Sequence, residues 1–269
     1  MGARRKLLVV QAAGLGFDLL RKHDLAAVGD LSFRAMPAPF PGLTCPAQAT
    51  IRTGLPPGRH GVPANGLWFD DLRRPMFWEQ SCRLVKGARV WDDLRRRGGR
   101  VAILFWQQSL GEDADMLLSP MPIHKHHGGM IESMYSRPAG LYDDICAVVG
   151  RRFKLARYWG PMASPSSSRW IAEATAAVMR GREAPDLCLT YLPALDYDLQ
   201  RHGPDGRDAE RALGGLMGDI GILLDAAKDG WEVLIFGDYA IGSVEPGGVI
   251  YPNLMLRQAG WFRGQADAE

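Results

Sequence analysis

The sequence contains no closely spaced pair of cysteines. Its four cysteines, Cys45, Cys82, Cys146 and Cys188, are spread over 269 residues, and no two of them form a CxxC pair. This spacing argues against a zinc ribbon and against a disulfide framework, both of which need grouped cysteines. We therefore expect reduced thiols, as in a cytoplasmic protein.

A charge imbalance and a long apolar segment are also missing. The sequence has 32 Lys and Arg residues against 30 Asp and Glu residues, so its net charge of +2 gives no reason to expect a nucleic acid polymer as the partner. No stretch is long and apolar enough to cross a bilayer, and the basic N-terminal segment lacks an A-x-A processing site. We predict a soluble cytoplasmic protein that binds neither a membrane nor a nucleic acid polymer.

The sequence does contain apolar strands that alternate with amphipathic helices. The predicted strands cover 6–13, 100–106, 186–196 and 231–238, and the predicted helices cover 17–30, 88–99, 169–185 and 208–230. This alternation predicts an α/β fold with a mostly parallel central sheet and helices on both of its faces. The length suits a single domain over residues 1–269.

Residues 107–168 interrupt this alternation. They are rich in Met, Pro, His and Ser, and we interpret them as an insertion or cap over the site. The segment includes an HKHH run at 124–127. Such a run could supply a metal or phosphate contact, or it could be an exposed loop without a function.

Two aspartates close predicted strands. Asp196 ends LPALD and Asp238 ends LIFGD. Because ligands bind at the carboxyl ends of strands in open α/β sheets, these carboxylates could hold a divalent metal that orients a phosphoryl group. Each of them could instead cap a turn or the following helix.

A possible nucleophile stands in PGLTCPAQATIRTG, residues 41–54. Proline is tolerated in the first turn of a helix, so Pro46 predicts that Thr44 and Cys45 lie at a helix start, where anions bind. The Thr44 hydroxyl would need a base or a metal to act as a nucleophile. The Cys45 thiol is intrinsically more reactive, and a helix N-terminus favours its thiolate. Both interpretations remain open at this point.

A longer pattern surrounds this segment. Residues 43–66, LTCPAQATIRTGLPPGRHGVPANG, resemble the nucleophile segment of the type I phosphodiesterase/nucleotide pyrophosphatase family in the alkaline phosphatase superfamily. The resemblance continues through 66–94, 191–204 and 235–244. The matching positions are Thr44, Pro46, Thr53, Gly54, Pro57, His60, Gly61 and Asn65. The resemblance implies an alkaline-phosphatase-like fold and a phosphohydrolase that acts on a small phosphorylated or phosphodiester substrate.

The resemblance also implies roles for individual residues. Thr44 would attack phosphorus, and the backbone N–H of Cys45 would hold the phosphoryl oxygens. Asn65 would face the substrate or, alternatively, cap a turn. His202 would contribute a substrate contact.

Family members use two zinc ions, and the resemblance assigns Asp196 and Asp238 as ligands. Gln200 and Tyr239 stand where the family has histidines, Ala13 stands where it has an aspartate, and a further C-terminal histidine has no counterpart. We therefore predict a divalent metal held by Asp196, Asp238 and Gln200. This metal is zinc by resemblance, although an oxygen-rich set suits Mg or Mn better.

The alternative prediction is a metal-poor family member that acts as a binding or pathway-partner protein. If the family's last strands are absent, an edge of the sheet should be uncovered. An uncovered edge would favour a homo-oligomer.

Overall fold

The computed structural model describes residues 5–125, 127, 129–228, 230–244, 247 and 249–261. His126, within the predicted histidine run, lies outside the described residues. The strands are β1 (Lys6–Ala12), β2 (Ala27–Val28), β3 (Leu31–Ser32), β4 (Gly66–Phe69), β5 (Arg74–Phe77), β6 (Val101–Leu104), β7 (Met116–Pro120), β8 (Ile123–His124), β9 (Met130–Ile131), β10 (Met134–Arg137), β11 (Leu187–Leu192) and β12 (Trp231–Gly237). The α-helices are α1 (Phe17–Lys22), α2 (Thr44–Thr53), α3 (Pro57–His60), α4 (Asp92–Arg96), α5 (Leu141–Val149), α6 (Ser166–Arg180), α7 (Ala194–His202), α8 (Arg207–Ala227) and α9 (Pro252–Gln258).

A six-stranded sheet forms the centre of the molecule, with the strand order β10-β7-β6-β11-β1-β12. All neighbouring strands are parallel except β10, which runs antiparallel to β7. The central strands are continuous apolar runs because both of their faces are covered, and every residue of β11 is buried. The predicted α/β fold with a mostly parallel sheet flanked by helices is confirmed.

The largest core lies between the sheet and helices α6 and α8. On α8, Leu213, Leu216, Ile220 and Leu223 recur at helical spacing and are all buried. Helix α6 packs against both α8 and β11. This layer fixes the carboxyl ends of β1, β11 and β12 relative to one another.

Several predicted boundaries differ from the structure. The helix predicted over 17–30 ends at Lys22, and a short β2–β3 hairpin follows it. The helix predicted over 88–99 is reduced to α4. The strand predicted over 186–196 ends at Leu192, because Pro193 has no N–H for the sheet and instead caps α7. Asp196 is therefore in the first turn of a helix and not at a strand end.

Residues 107–168 contribute more to the sheet than the sequence indicated. Strands β7 and β10 both belong to the central sheet, and α5 packs against them. The β8–β9 hairpin forms a separate two-stranded sheet. The assignment of 107–168 as an insertion or cap, and of 1–269 as one domain, stays a prediction.

Strand β12 forms one edge of the central sheet. Leu234 on this strand is exposed, and so are Leu254, Met255 and Leu256 of helix α9. Self-association through this region stays a prediction. Among the helices that the structure describes, none combines the length and the hydrophobicity that a membrane-spanning segment requires.

Candidate active site

A cavity of about 1410 Å³ opens at the carboxyl ends of β1, β11 and β12. This is the edge at which parallel α/β sheets bind ligands. Thr44, Asn65, Asp196, Gln200 and Tyr239 all line the cavity. The structure thus brings together four predicted site residues and Tyr239, although they come from four separate segments of the chain.

Thr44 is the first residue of α2 and is only 4% exposed. The preceding residue, Leu43, has an extended backbone and no capping side chain, so the start of the helix faces the cavity without a local side-chain cap. Pro46 occupies the first turn, as predicted. The helix ends at Gly54, whose φ of 67° is the left-handed conformation that closes many helices.

Asn65 caps this helix from a distance. Its Oδ1 accepts a hydrogen bond of 3.0 Å from the backbone N–H of Cys45. Among the described residues, its Nδ2 has no hydrogen-bond partner, so the amide keeps donors that a ligand in the cavity could use. The N–H of Cys45, predicted to bind phosphoryl oxygens, is engaged by Asn65 in this structure. Asn65 lines the cavity. It also caps helix α2, whereas the alternative prediction was that it caps a turn.

The Cys45 thiol is not suited to attack. It is buried, does not line the cavity, and packs with Ala49, Val62 and Val85. Burial raises the pKa of Cys45 to about 12, although the nearby Arg52 guanidinium opposes this shift. A neutral thiol is a poor nucleophile, so the structure argues against Cys45 in that role.

Asp196 accepts two hydrogen bonds from side chains. The Tyr239 hydroxyl donates to Oδ1 at 2.9 Å, and Gln200 Nε2 donates to Oδ2 at 2.7 Å. Burial raises the pKa of Asp196, and these two hydrogen bonds oppose that shift.

Burial raises the pKa of Tyr239, and the neighbouring Thr44 hydroxyl opposes this shift. An ionised carboxylate can only accept, so the single Tyr239 hydrogen is directed to Asp196. The Tyr239 oxygen is then able to accept a hydrogen from the Thr44 hydroxyl.

Asp238 is 1% exposed and lies behind the cavity wall. Its Oδ1 accepts from the backbone N–H groups of Gly14 and Tyr239, both at 3.0 Å, and its Oδ2 accepts from Gln11 Nε2 at 2.6 Å. Burial raises the pKa of Asp238 to about 6, and the hydrogen bonds from Gly14 and Gln11 oppose that shift. All its partners are neutral.

These contacts do not fit the predicted metal site. Every carboxylate oxygen of Asp196 and Asp238 faces an N–H or O–H donor, and Gln200 turns its NH₂ group toward Asp196. Within the described ranges, no group of three or more His, Cys, Asp or Glu side chains could hold an ion. The assignment of Asp196, Asp238 and Gln200 as ligands stays a prediction, and in the contacts described here hydrogens occupy the directions in which a cation would bind these carboxylates.

His202 lies outside the cavity lining. It is the last residue of α7, it is half-exposed, and its Nδ1 lies 3.9 Å from Asp208 Oδ2. Gln200 and Arg201, by contrast, line the cavity. A substrate contact from His202 stays a prediction.

Sequence reasoning missed Arg201, a cation in the cavity wall. Its Nη2 donates to the carbonyl oxygens of Pro161 at 3.3 Å and Ala163 at 3.0 Å. The start of α2, with its partial positive charge, is the other feature that favours an anion. The position of Arg201, one residue after the predicted ligand Gln200, is the one sequence signal for it.

Sequence reasoning also missed Arg52, which holds a segment of the cavity wall in place. Arg52, on α2, is 1% exposed and donates to the carbonyl oxygens of Gln107 at 2.5 Å and Gln108 at 2.7 Å. Its charge is compensated by Glu112 at 3.4 Å. Burial lowers the pKa of Arg52 to about 10, and Glu112 opposes this shift. The Gln107 backbone N–H also donates to Gln48 Oε1 at 2.6 Å, which fixes Gln107 in the cavity wall.

Comparison with known protein families identifies one match. The model of the type I phosphodiesterase / nucleotide pyrophosphatase family matches residues 7–268. Among curated proteins, none matches this sequence.

Solved structures share the fold at low sequence identity. Phosphonoacetate hydrolase from Sinorhizobium meliloti 1021, in complex with phosphonoformate, superposes with a TM-score of 0.65 at 16% identity, over 95% of this chain and 62% of that one. An inactive murine ectonucleotide pyrophosphatase/phosphodiesterase 5, in complex with AMP, gives 0.60 at 16% identity, over 91% and 60%. This chain therefore spans about three-fifths of the length of these proteins.

Proposed function

The chain belongs to the type I phosphodiesterase / nucleotide pyrophosphatase family, and from that premise we propose that it binds and hydrolyses a small phosphorylated or phosphodiester compound, with Thr44 as the nucleophile. The family consists in general of metal-dependent hydrolases. The observation that carries the proposal is the position of Thr44 at the start of α2, in the wall of a cavity that Tyr239 and Asp196 also line.

Three features support an anion at this position. The N-terminus of α2 offers partial positive charge, Asn65 offers its Nδ2 donor, and Arg201 offers a full positive charge. Phosphonoformate and AMP, which two of the solved relatives bind, are small compounds of the same chemical class.

The proposed reaction proceeds in two displacements, with Asp196 as the base that Thr44 requires. The Thr44 oxygen forms a bond to phosphorus as the bond from phosphorus to the leaving-group oxygen breaks. Asp196 takes up a proton that Thr44 passes on through the Tyr239 hydroxyl and returns it to the departing oxygen. Water then displaces the Thr44 oxygen from phosphorus and returns a proton to it, which releases the phosphate product. A hydrogen bond from Thr44 to the Tyr239 oxygen would also orient the attacking lone pairs, and orientation is a large part of such catalysis.

Turnover of bis-p-nitrophenyl phosphate by the purified protein tests this proposal. We expect Thr44→Ala to lower turnover by about 10³-fold or more, and Thr44→Ser to keep a measurable fraction. Thr53→Ser, at the other end of the same helix, is the matched control. Turnover that Thr44→Ala leaves unchanged would remove Thr44 from the reaction.

A second candidate function is ligand binding without turnover. It is favoured by the hydrogen bonds that the carboxylate oxygens of Asp196 and Asp238 accept. Because donors occupy these oxygens, they do not hold a metal ion that would activate the phosphorus for attack. Calorimetric titration with bis-p-nitrophenyl phosphate, with the product measured in the same samples, distinguishes the two functions. A pure binding protein gives saturable binding in Thr44→Ala and in the parent protein alike, with no product from either.

A further inference from the structure

We infer that neutral hydrogen-bond donors of the chain itself stand in for the cations of this site, so that Asp196 and Asp238 are stabilised by amide and hydroxyl groups and the ligand binds without a resident metal. The inference rests on the proposed function only in that it concerns the same cavity. It goes beyond that function because it assigns new roles to Gln11, Gln200 and Tyr239.

The surroundings of Asp238 provide the first part of the argument. An oxygen of a carboxylate has two lone pairs, and Oδ1 of Asp238 already receives the N–H groups of Gly14 and Tyr239. Gln11 Nε2 covers Oδ2 at 2.6 Å. A β-carbon at Gly237 would lie 1.9 Å from the carbonyl oxygen of Leu15, so the backbone around Asp238 is closely packed.

The surroundings of Asp196 provide the second part. The two positions at which the family resemblance expects imidazole ligands hold Tyr239 and Gln200. An imidazole binds a metal through a lone pair, whereas Tyr239 and Gln200 direct an O–H and an N–H at Asp196. Tyr239 and Gln200 thus present a hydrogen where a metal-binding side chain presents a lone pair. Each forms a hydrogen bond of ordinary length with the Asp196 carboxylate.

The charge of the bound ligand follows from this arrangement. Without a divalent cation, the full positive charge in the described cavity wall belongs to Arg201, whose Nη1 lies 3.7 Å from Asp198 Oδ1. The carboxylates of Asp196 and Glu79 line the same cavity. A dianionic phosphate monoester would be repelled by Asp196 more strongly than a monoanionic diester. We therefore assign the site to monoanionic phosphodiesters or phosphonate monoesters.

Metal analysis tests the first half of the inference without any need for turnover. The full chain, purified without chelator and dialysed, is measured for Zn, Mn and Mg by mass spectrometry, and its melting temperature is followed as zinc is added. We expect a metal content far below one equivalent and no rise in melting temperature. One equivalent of a retained metal, or a zinc-dependent rise that Asp196→Asn abolishes, would overturn the inference.

The double variant Gln200→His/Tyr239→His is the matched comparison. It restores both imidazoles, and we expect it to bind zinc and to melt about 5 °C or more higher at saturating zinc. Gln200→His alone serves the same purpose if circular dichroism shows the double variant to be unfolded. Equal zinc binding by the parent protein and the variant would contradict the inference that Gln200 and Tyr239 act as hydrogen-bond donors in place of metal-binding histidines.

A pair of ligands tests the charge assignment. Phenyl phosphate is largely a dianion above neutral pH, and methyl phenyl phosphate is a monoanion of almost the same size. We expect calorimetry to give the tighter binding for the diester, and tighter binding of the monoester would refute the assignment. If neither compound binds, the charge assignment and the proposed function both fail, while the metal measurements still decide the first half of the inference.

Discussion

Arg52 and Asp238 are equally buried, at 1% exposure, yet their charges are compensated in different ways. Arg52 has a charged partner in Glu112 and two carbonyl oxygens in the 107–108 loop. Asp238 has three neutral donors and no described cationic partner. The ion pair of Arg52 and Glu112 supports the 107–108 loop beside the cavity. Neutral N–H groups stabilise Asp238, for which the family resemblance implies a metal. The comparison teaches that a buried charge in this protein is compensated either by an opposite charge or by neutral hydrogen-bond donors alone.

The largest effect is expected from breaking the charge pair. Arg52→Met leaves Glu112 buried with Arg89 as its remaining partner and releases the 107–108 loop, so we expect a loss of about 3–5 kcal/mol in the free energy of unfolding. Urea denaturation measures it. Arg211→Met, at an exposed ion pair on α8, is the control and should change little. Equal losses from the two variants would contradict the structural role of Arg52.

Removing one neutral donor from Asp238 should cost less. Gln11→Leu keeps most of the side-chain volume but leaves Oδ2 of Asp238 without its hydrogen bond, so we expect a loss of about 1–3 kcal/mol by the same denaturation assay. An unchanged unfolding free energy would show that Gln11 does not stabilise this carboxylate. A loss greater than that of Arg52→Met would reverse the comparison.

Tyr239→Phe removes the hydroxyl that donates to Asp196 and through which the proposed mechanism orients Thr44. We expect about 1 kcal/mol of destabilisation, and a lower kcat for bis-p-nitrophenyl phosphate with little change in KM, since the attacking oxygen loses its orientation. Tyr142→Phe is a suitable control because its hydroxyl accepts from the Phe153 N–H away from this cavity. A kcat that falls equally in both variants would indicate a general loss of structure.

The smallest effect is expected at Asp219, whose carboxylate lies 2.9 Å from Arg169 Nε. Asp219 is buried like Asp238, but it has a cationic partner as Glu112 does. Burial raises its pKa from 3.8 to about 6, and Arg169 opposes the shift. The unfolded chain thus loses this proton at lower pH than the folded protein, so the contribution of Asp219 to stability falls as pH rises from about 4 to about 6.

Asp219→Asn should remove this part of the slope. Urea denaturation across the window and above it measures the slope. Asp113→Asn, at a largely exposed aspartate, is the control. A slope that Asp219→Asn leaves as steep as in the parent protein would show that the Arg169 pairing outweighs burial.

The fold was predictable because apolar periodicity is a local property. Strands β1, β6, β11 and β12 read directly from continuous apolar runs, and α6 and α8 from helical spacing. Strands β7 and β10 were missed, since their segments lie among Met, Pro and His residues that carry no clear period. Helix α7 was missed because a proline after an apolar run reads equally well as the end of a strand or the start of a helix.

The proximity of several candidate residues was predictable, but their hydrogen bonding was not. The pattern from Thr44 to Asn65 predicted one site that also includes Asp196, and all three residues line the cavity, while their roles stay predictions. The sequence could not show that Gln200 and Tyr239 act as donors to Asp196, because donor direction depends on side-chain rotamers. The Arg52 contacts to residues 107–112 were equally hidden, since they join positions more than fifty residues apart.

The hydrogen bonds of Asp238 have a further consequence for the edge of the sheet. Asp238 follows β12 directly, and its partners Gln11 and Gly14 lie on β1 and just beyond it. The Asp238 side chain therefore links β12 to β1 just after the last backbone hydrogen bonds between the two strands. Amide hydrogen exchange along β12 would report on this link, because an edge strand frays first when its last contact is lost. Because the next residue, Tyr239, lines the cavity, the same hydrogen bonds also hold part of the cavity wall at the end of the edge strand.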